Sequence, residues 1–188
     1  MVDVPFTSTA TPKTRRRPIY SASVALCHAW LGLTACGATA AIALNTKDPA
    51  IHTVRTTSER YYPIVHHGLT LGAAQYVDRP YRFGSIPPTL VGATFIRTAN
   101  DDKAETGPHF LELQARQPIT VYIAYDNRAS RLPDWLSSFT ATGEQVLSDD
   151  LSAKGFSLYR RDFPVGPVVL GGNGVPPRPG SMYTVIVT

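Results

Sequence analysis

The chain has 188 residues, 43% of them hydrophobic and 17% charged, with a net charge of +4. The excess sits in the first eighteen residues, where Lys13, Arg15, Arg16 and Arg17 face only Asp3; the remainder carries fourteen Lys and Arg against thirteen Asp and Glu. The near-neutral body has no basic run of the kind nucleic acid recruits, which argues against a nucleic-acid partner, and both cysteines, Cys27 and Cys36, fall in an apolar run, so disulfides, thiolate zinc and a cysteine nucleophile are excluded after residue 44.

Residues 1–18 contain Pro5, Pro12 and Pro18 among Thr, Ser and basic side chains, without apolar periodicity, and are expected to form a cytoplasmic basic tail. From Ile19 to Leu44 no Asp, Glu, Lys or Arg occurs. A helix needs roughly 20 apolar residues to cross about 30 Å of hydrocarbon, so 19–44 is expected to be a transmembrane helix. The flanking cations orient it with the N-terminus cytoplasmic and everything from Asn45 onward in the periplasm or outside the cell. Two rival fates have local signatures: Ala38-Thr39-Ala40 fits a signal-peptide cleavage site, and Leu33-Thr34-Ala35-Cys36 resembles a lipobox with Cys36 as the lipidated residue.

Within this segment Gly32, Cys36 and Ala40 recur four apart, a small-residue face that lets helix backbones approach and implies other membrane-protein subunits as partners beside the lipid. His28 lies nine positions beyond Ile19, where an imidazole facing lipid is costly. It needs a hydrogen-bond partner on a neighbouring helix, or a haem or chlorophyll-type metal to ligate.

Residues 45–75 are weakly patterned, with Pro49, Pro63 and Gly68, and read as an extended tether. His66 and His67 are adjacent and point in different directions in regular structure, which argues against a shared metal. The stretch 76–188 changes character: short β-rich runs recur at intervals of about ten residues between Pro, Gly, Asn and Asp, predicting one all-β domain. Expected strands are Tyr76 to Phe83, Thr94 to Thr98, Phe110 to Gln114, Ile119 to Tyr125, Phe156 to Arg160, Val168 to Leu170 and Met182 to Val187. Val121, Ile123 and Tyr125 alternate with Tyr122 and Ala124, and Tyr183, Val185 and Val187 with Thr184 and Ile186; neither strand has a strongly polar face, so both belong at the centre of a covered sheet.

Turns are expected at Pro87-Pro88, Thr106-Gly107-Pro108, Thr142-Gly143-Glu144 and Pro164-Val165-Gly166-Pro167, with Gly171-Gly172-Asn173-Gly174 closing a strand. No Gly-Lys-Ser or Gly-Lys-Thr follows those glycines, so they do not read as a phosphate loop.

Several ordered segments form a recurring pattern: Ala93-Thr94-Phe95-Ile96-Arg97-Thr98, Val121 through Ala129, and Leu132-Pro133-Asp134-Trp135-Leu136. Phe156-Ser157-Leu158-Tyr159, Arg161-Asp162-Phe163-Pro164 with Gly166, and Val168-Val169-Leu170-Gly171-Gly172-Asn173 continue it. Together they resemble a β-sandwich module of secreted and cell-surface bacterial proteins, similar to carbohydrate-binding modules and often appended to polysaccharide-active enzymes. The resemblance covers roughly residues 76–188 and implies an antiparallel β-sandwich, jelly-roll or immunoglobulin-like, with a non-catalytic binding role and a glycan as candidate partner.

Two features of the domain invite chemistry. Asp101, Asp102 and Asp126, beside Asn100 and Asn127, are dense in oxygen ligands and form a candidate calcium site, or else shape strand ends by bonding their own backbone. Trp135 follows Pro133 and Asp134 in an expected loop, where an indole either stacks on a sugar or plugs the end of the sandwich. No Gly-x-Ser-x-Gly elbow and no His-Glu-x-x-His helix is present, so no catalytic residues are assigned. The leading expectation is a non-catalytic accessory subunit of a larger complex of the bacterial inner membrane, respiratory or photosynthetic, with its sandwich periplasmic. The alternative is a surface-tethered carbohydrate-binding module.

Overall fold

The computed structural model describes residues 49–153, 155–174 and 180–188. The expected span over 19–44, with His28, Gly32, Cys36 and Ala40, lies outside the described residues. Among those described, no helix is long and apolar enough to cross a membrane.

Among the described residues ten strands follow one another: β1 Ile51–Thr56, β2 Ile64–Val65, β3 Phe83–Ser85, β4 Thr94–Ile96, β5 Leu111–Ala115, β6 Ile119–Asp126, β7 Thr140–Ser148, β8 Phe156–Phe163, β9 Gly166–Leu170 and β10 Thr184–Val187. They make a three-stranded sheet in the order β1-β5-β9 and a seven-stranded sheet in the order β2-β4-β10-β6-β8-β7-β3, and every strand pair is antiparallel.

The two faces of the larger sheet follow from the period of two along each strand. Val121, Ile123, Tyr125, Val185 and Val187 point one way and join Leu111, Leu113, Val168 and Leu170 of the small sheet in one core. Ala124 and Ile186 point the other way, into a second core with Phe95, Phe156 and Leu158, closed by Leu69, Phe83, Ile86 and Leu90 from the segment that wraps that face. Both faces of β6 and β10 are thus covered, and these strands occupy central places in the sheet, as their lack of a polar face predicts.

Three expectations are corrected. The stretch 45–75 is not all tether: β1 pairs with β5 and β2 with β4. β1 is an edge strand with exposed His52, Thr53 and Arg55, so its alternation is too faint to recognise. The strand expected over Tyr76 to Phe83 is interrupted, since Pro80 has no N–H to give a ladder; Tyr76 makes a single bridge to Thr98 and only Phe83 enters a strand. Thr142-Gly143-Glu144 is not a turn at a strand boundary but an irregularity within β7, where the register with β8 shifts between Ala141 and Gln145 and Gly143 takes φ +79°.

Candidate functional site

After β9 the backbone of Gly171, Gly172 and Asn173 is held by three aromatic donors in succession. Tyr183 Oη donates to the Gly171 carbonyl (2.9 Å), Trp135 Nε1 to Gly172 (3.0 Å) and Tyr125 Oη to Asn173 (2.9 Å). Burial pushes the Tyr183 phenol well above its ordinary range, and burial with the charge of Asp126 pushes Tyr125 up to about 12, so both remain protonated donors at physiological pH. The Asn173 side chain completes the clamp, accepting from Tyr183 N–H (3.0 Å) and donating to the Lys103 carbonyl (3.1 Å).

The glycines of this segment serve close approach. A Cβ at Gly171 would overlap the Trp135 indole, and one at Gly172 or Gly174 would meet the backbone of Ala104 to Thr106. Gly171→Ala is therefore expected to displace the indole, at about 1–3 kcal/mol of stability, and to shift its fluorescence; unchanged unfolding and emission would contradict this packing.

Trp135 lies on a short 3₁₀ helix, Asp134–Ser138, entered through Pro133 in extended conformation. One side of the indole packs edge-on against Phe139 and Tyr183, with centroids 5.8 and 5.6 Å away. The ring nevertheless stays half-buried and lines an open cleft of about 290 Å³ with Gly107, Pro108, Arg131 and Asp134. Both readings of Trp135 thus describe parts of one side chain: it caps the core and borders a cleft. Arg131 and Asp134 are exposed and enter no ion pair among the described residues.

A second, polar cleft of about 650 Å³ is organised by Asp126 at the end of β6. Its carboxylate is fully buried and accepts from Arg128 Nη2 (2.6 Å), Arg128 Nε (3.1 Å), Arg128 N–H (2.8 Å) and Ser181 N–H (2.8 Å). Burial acts to raise the Asp126 pKa, but the Arg128 side chain and the two backbone N–H groups outweigh it and hold the carboxyl below its usual range. Arg128 is fixed in turn by Ser152 Oγ (2.9 Å) and Ser181 Oγ (2.6 Å), while Asp150 stands 4.0 Å from its Nη2. Asp126 is hence an anion at neutral pH, fixed in place by Arg128 and Ser181.

The candidate calcium ligands are kept apart by their own partners. Asp101 pairs with Arg79, Asp126 with Arg128, and Asp102 with Arg60 Nε (2.9 Å), Ser58 Oγ (2.7 Å) and Tyr62 Oη (2.7 Å). No group of three or more His, Cys, Asp or Glu is gathered for a metal among the described residues. Asp102 instead ties the segment after β1 to the 3₁₀ turn Asn100–Ala104. Sequence reasoning missed Arg128, Arg131 and Asp134 as site residues; the Asp-x-Arg spacing of 126 and 128, beside a loop leading to tryptophan, is the signal that would have flagged them.

No protein-family model and no curated protein matches the chain. Among solved structures it is similar to a β-glucuronidase from glycoside hydrolase family 2, at 24% identity and a TM-score of 0.63, over 72% of this chain and 14% of that one. A family 138 glycoside hydrolase targeting pectin rhamnogalacturonan II aligns at 13% identity and a TM-score of 0.49, over 72% of this chain and 16% of that one. The first likeness supports the β-sandwich fold, and the chain matches only a small part of either enzyme.

Proposed function

We propose that this chain is a surface-tethered, non-catalytic glycan-binding module. The observation that carries this reading is Trp135: its indole is immobilised by Gly172 and by two aromatic neighbours, yet borders an open cleft beside uncommitted Arg131 and Asp134. A fixed apolar plate next to hydrogen-bonding groups suits a sugar, whose ring face is apolar and whose edge is hydroxyl. Because the plate is ordered before the ligand arrives, little entropy is lost at that side chain on binding. The likeness of the fold to a segment of a β-glucuronidase supports a carbohydrate ligand without naming a sugar. In this proposal residues 19–44 anchor the chain in the bacterial inner membrane, N-terminus cytoplasmic, and the sandwich faces the periplasm.

Arg131→Ala and Asp134→Ala test the cleft without touching the core. Both side chains are exposed, so each variant is expected to unfold within about 0.5 kcal/mol of the parent. Each should nonetheless weaken a bound glycan by about fivefold to tenfold in calorimetric titration. Unchanged glycan affinity in both variants would remove the cleft from the account. The accessory-subunit expectation rests on residues 19–44 and is separated by sizing in mild detergent: co-migration with other membrane proteins favours it, and a lone chain that binds glycan favours the module.

A further inference from the structure

The Trp135 cleft does not stand alone. Arg131 borders both it and a smaller recess of about 190 Å³, and Asn127 borders both that recess and the 650 Å³ polar cleft around Arg128. Three openings therefore follow one another along the loop from Asn127 to Asp134, and Asn127, Ser130, Arg131, Leu132 and Asp134 are exposed on it. The widest opening falls in the size range of sites for ligands well beyond a single sugar ring.

Its lining is built and electrically balanced. Arg128 is locked by Asp126, Ser152 and Ser181, and Arg79 is neutralised by Asp78 and Asp101. Asp150 offers an acceptor, and Lys103 and the Asn127 amide offer donors. The three cations of the lining, Arg79, Lys103 and Arg128, stand with four carboxylates, Asp78, Asp101, Asp126 and Asp150, so an anionic ligand finds no excess of positive charge there, whereas hydroxyl groups donate and accept at once and match a surface that presents both.

Resting on the glycan-binding reading, we propose that the ligand is an uncharged oligosaccharide of several units, seated at Trp135 and running along the 127–134 loop into the Arg128 cleft. The test titrates the intact chain with the disaccharide and hexasaccharide of β-1,4-glucan, β-1,4-mannan and β-1,4-xylan, with a galacturonan hexasaccharide as the charged control. At least one uncharged hexasaccharide is expected to bind about tenfold tighter than its disaccharide, with little change between about 0.05 and 0.5 M salt. Asn127→Ala and Lys103→Ala should erase that gain and leave the disaccharide unaffected, while Asp134→Ala should weaken both lengths. Equal affinity for the two lengths, preference for galacturonan, or equal losses on both lengths in Asn127→Ala would overturn this inference while leaving glycan binding at Trp135 standing. Failure of all these sugars to bind, with other glycans retained, overturns the inference alone; failure of every glycan overturns both.

Discussion

Replacing Asp126 with alanine is expected to lower the unfolding free energy by about 3 kcal/mol, the lower end of what breaking a buried ion pair costs, because the Arg128 guanidinium keeps some access to water. The carboxylate is fully buried and receives the side chain and backbone of Arg128 and the backbone of Ser181. Its removal leaves the guanidinium with only the Ser152 and Ser181 hydroxyls and no counter-ion in bonding contact, and the N–H groups of Arg128 and Ser181 without their acceptor. The pH dependence has a definite sign. Arg128 and the backbone donors depress the folded-state pKa against the opposing effect of burial, so the contribution is fully present above the ordinary carboxylate range and is lost as pH falls through the depressed value. Asp126→Asn should therefore be less stable than the parent at neutral pH, and the gap should narrow on acidification to about pH 3 or below. Urea unfolding at the two pH values checks this; a constant gap would show that the charge on Asp126 does not hold the cleft together.

Trp135→Ala should act on stability and binding together. It removes the edge-on contacts to Phe139 and Tyr183 and the bond to the Gly172 carbonyl, at about 3 kcal/mol for a large aromatic that is only half-buried. Glycan affinity should fall by about thirtyfold or more, as for an interface residue whose truncation exceeds 2 kcal/mol. Trp135→Phe separates the two effects, since it keeps an aromatic plate but loses the N–H donor. Its stability should recover most of the deficit, and its affinity should lie between parent and alanine. An alanine variant that folds and binds glycan like the parent would reduce Trp135 to a packing residue.

The central strands were legible because burial on both faces writes itself into composition. β6 and β10 have no polar face and lie in the middle of the larger sheet, where Val121, Ile123 and Val185 serve one core and Ala124 and Ile186 the other. Edge strands left a weaker trace, since β1 alternates only faintly and β2 is two residues long, and β7, between β8 and the three-residue β3, carries Gly143 where an uninterrupted pattern would have revealed it. The site was legible only at Trp135. The glycines of Gly171-Gly172-Asn173-Gly174 read as punctuation, whereas their purpose is contact with the indole and with the backbone of Ala104 to Thr106, roughly seventy residues earlier in the chain. Asp101, Asp102 and Asp126 looked like metal ligands because a sequence shows acids close together but not the arginines that folding delivers to each: Arg79, Arg60 and Arg128.

The glycan reading meets its most direct test in binding of the intact chain to a broad panel of immobilised glycans, with an Arg131→Ala, Asp134→Ala double variant of matched thermal stability run alongside. Retention of one coherent group of glycans by the parent, lost by the double variant, is the expected result. Retention of no glycan, or equal retention by both proteins, would contradict a sugar site at Trp135.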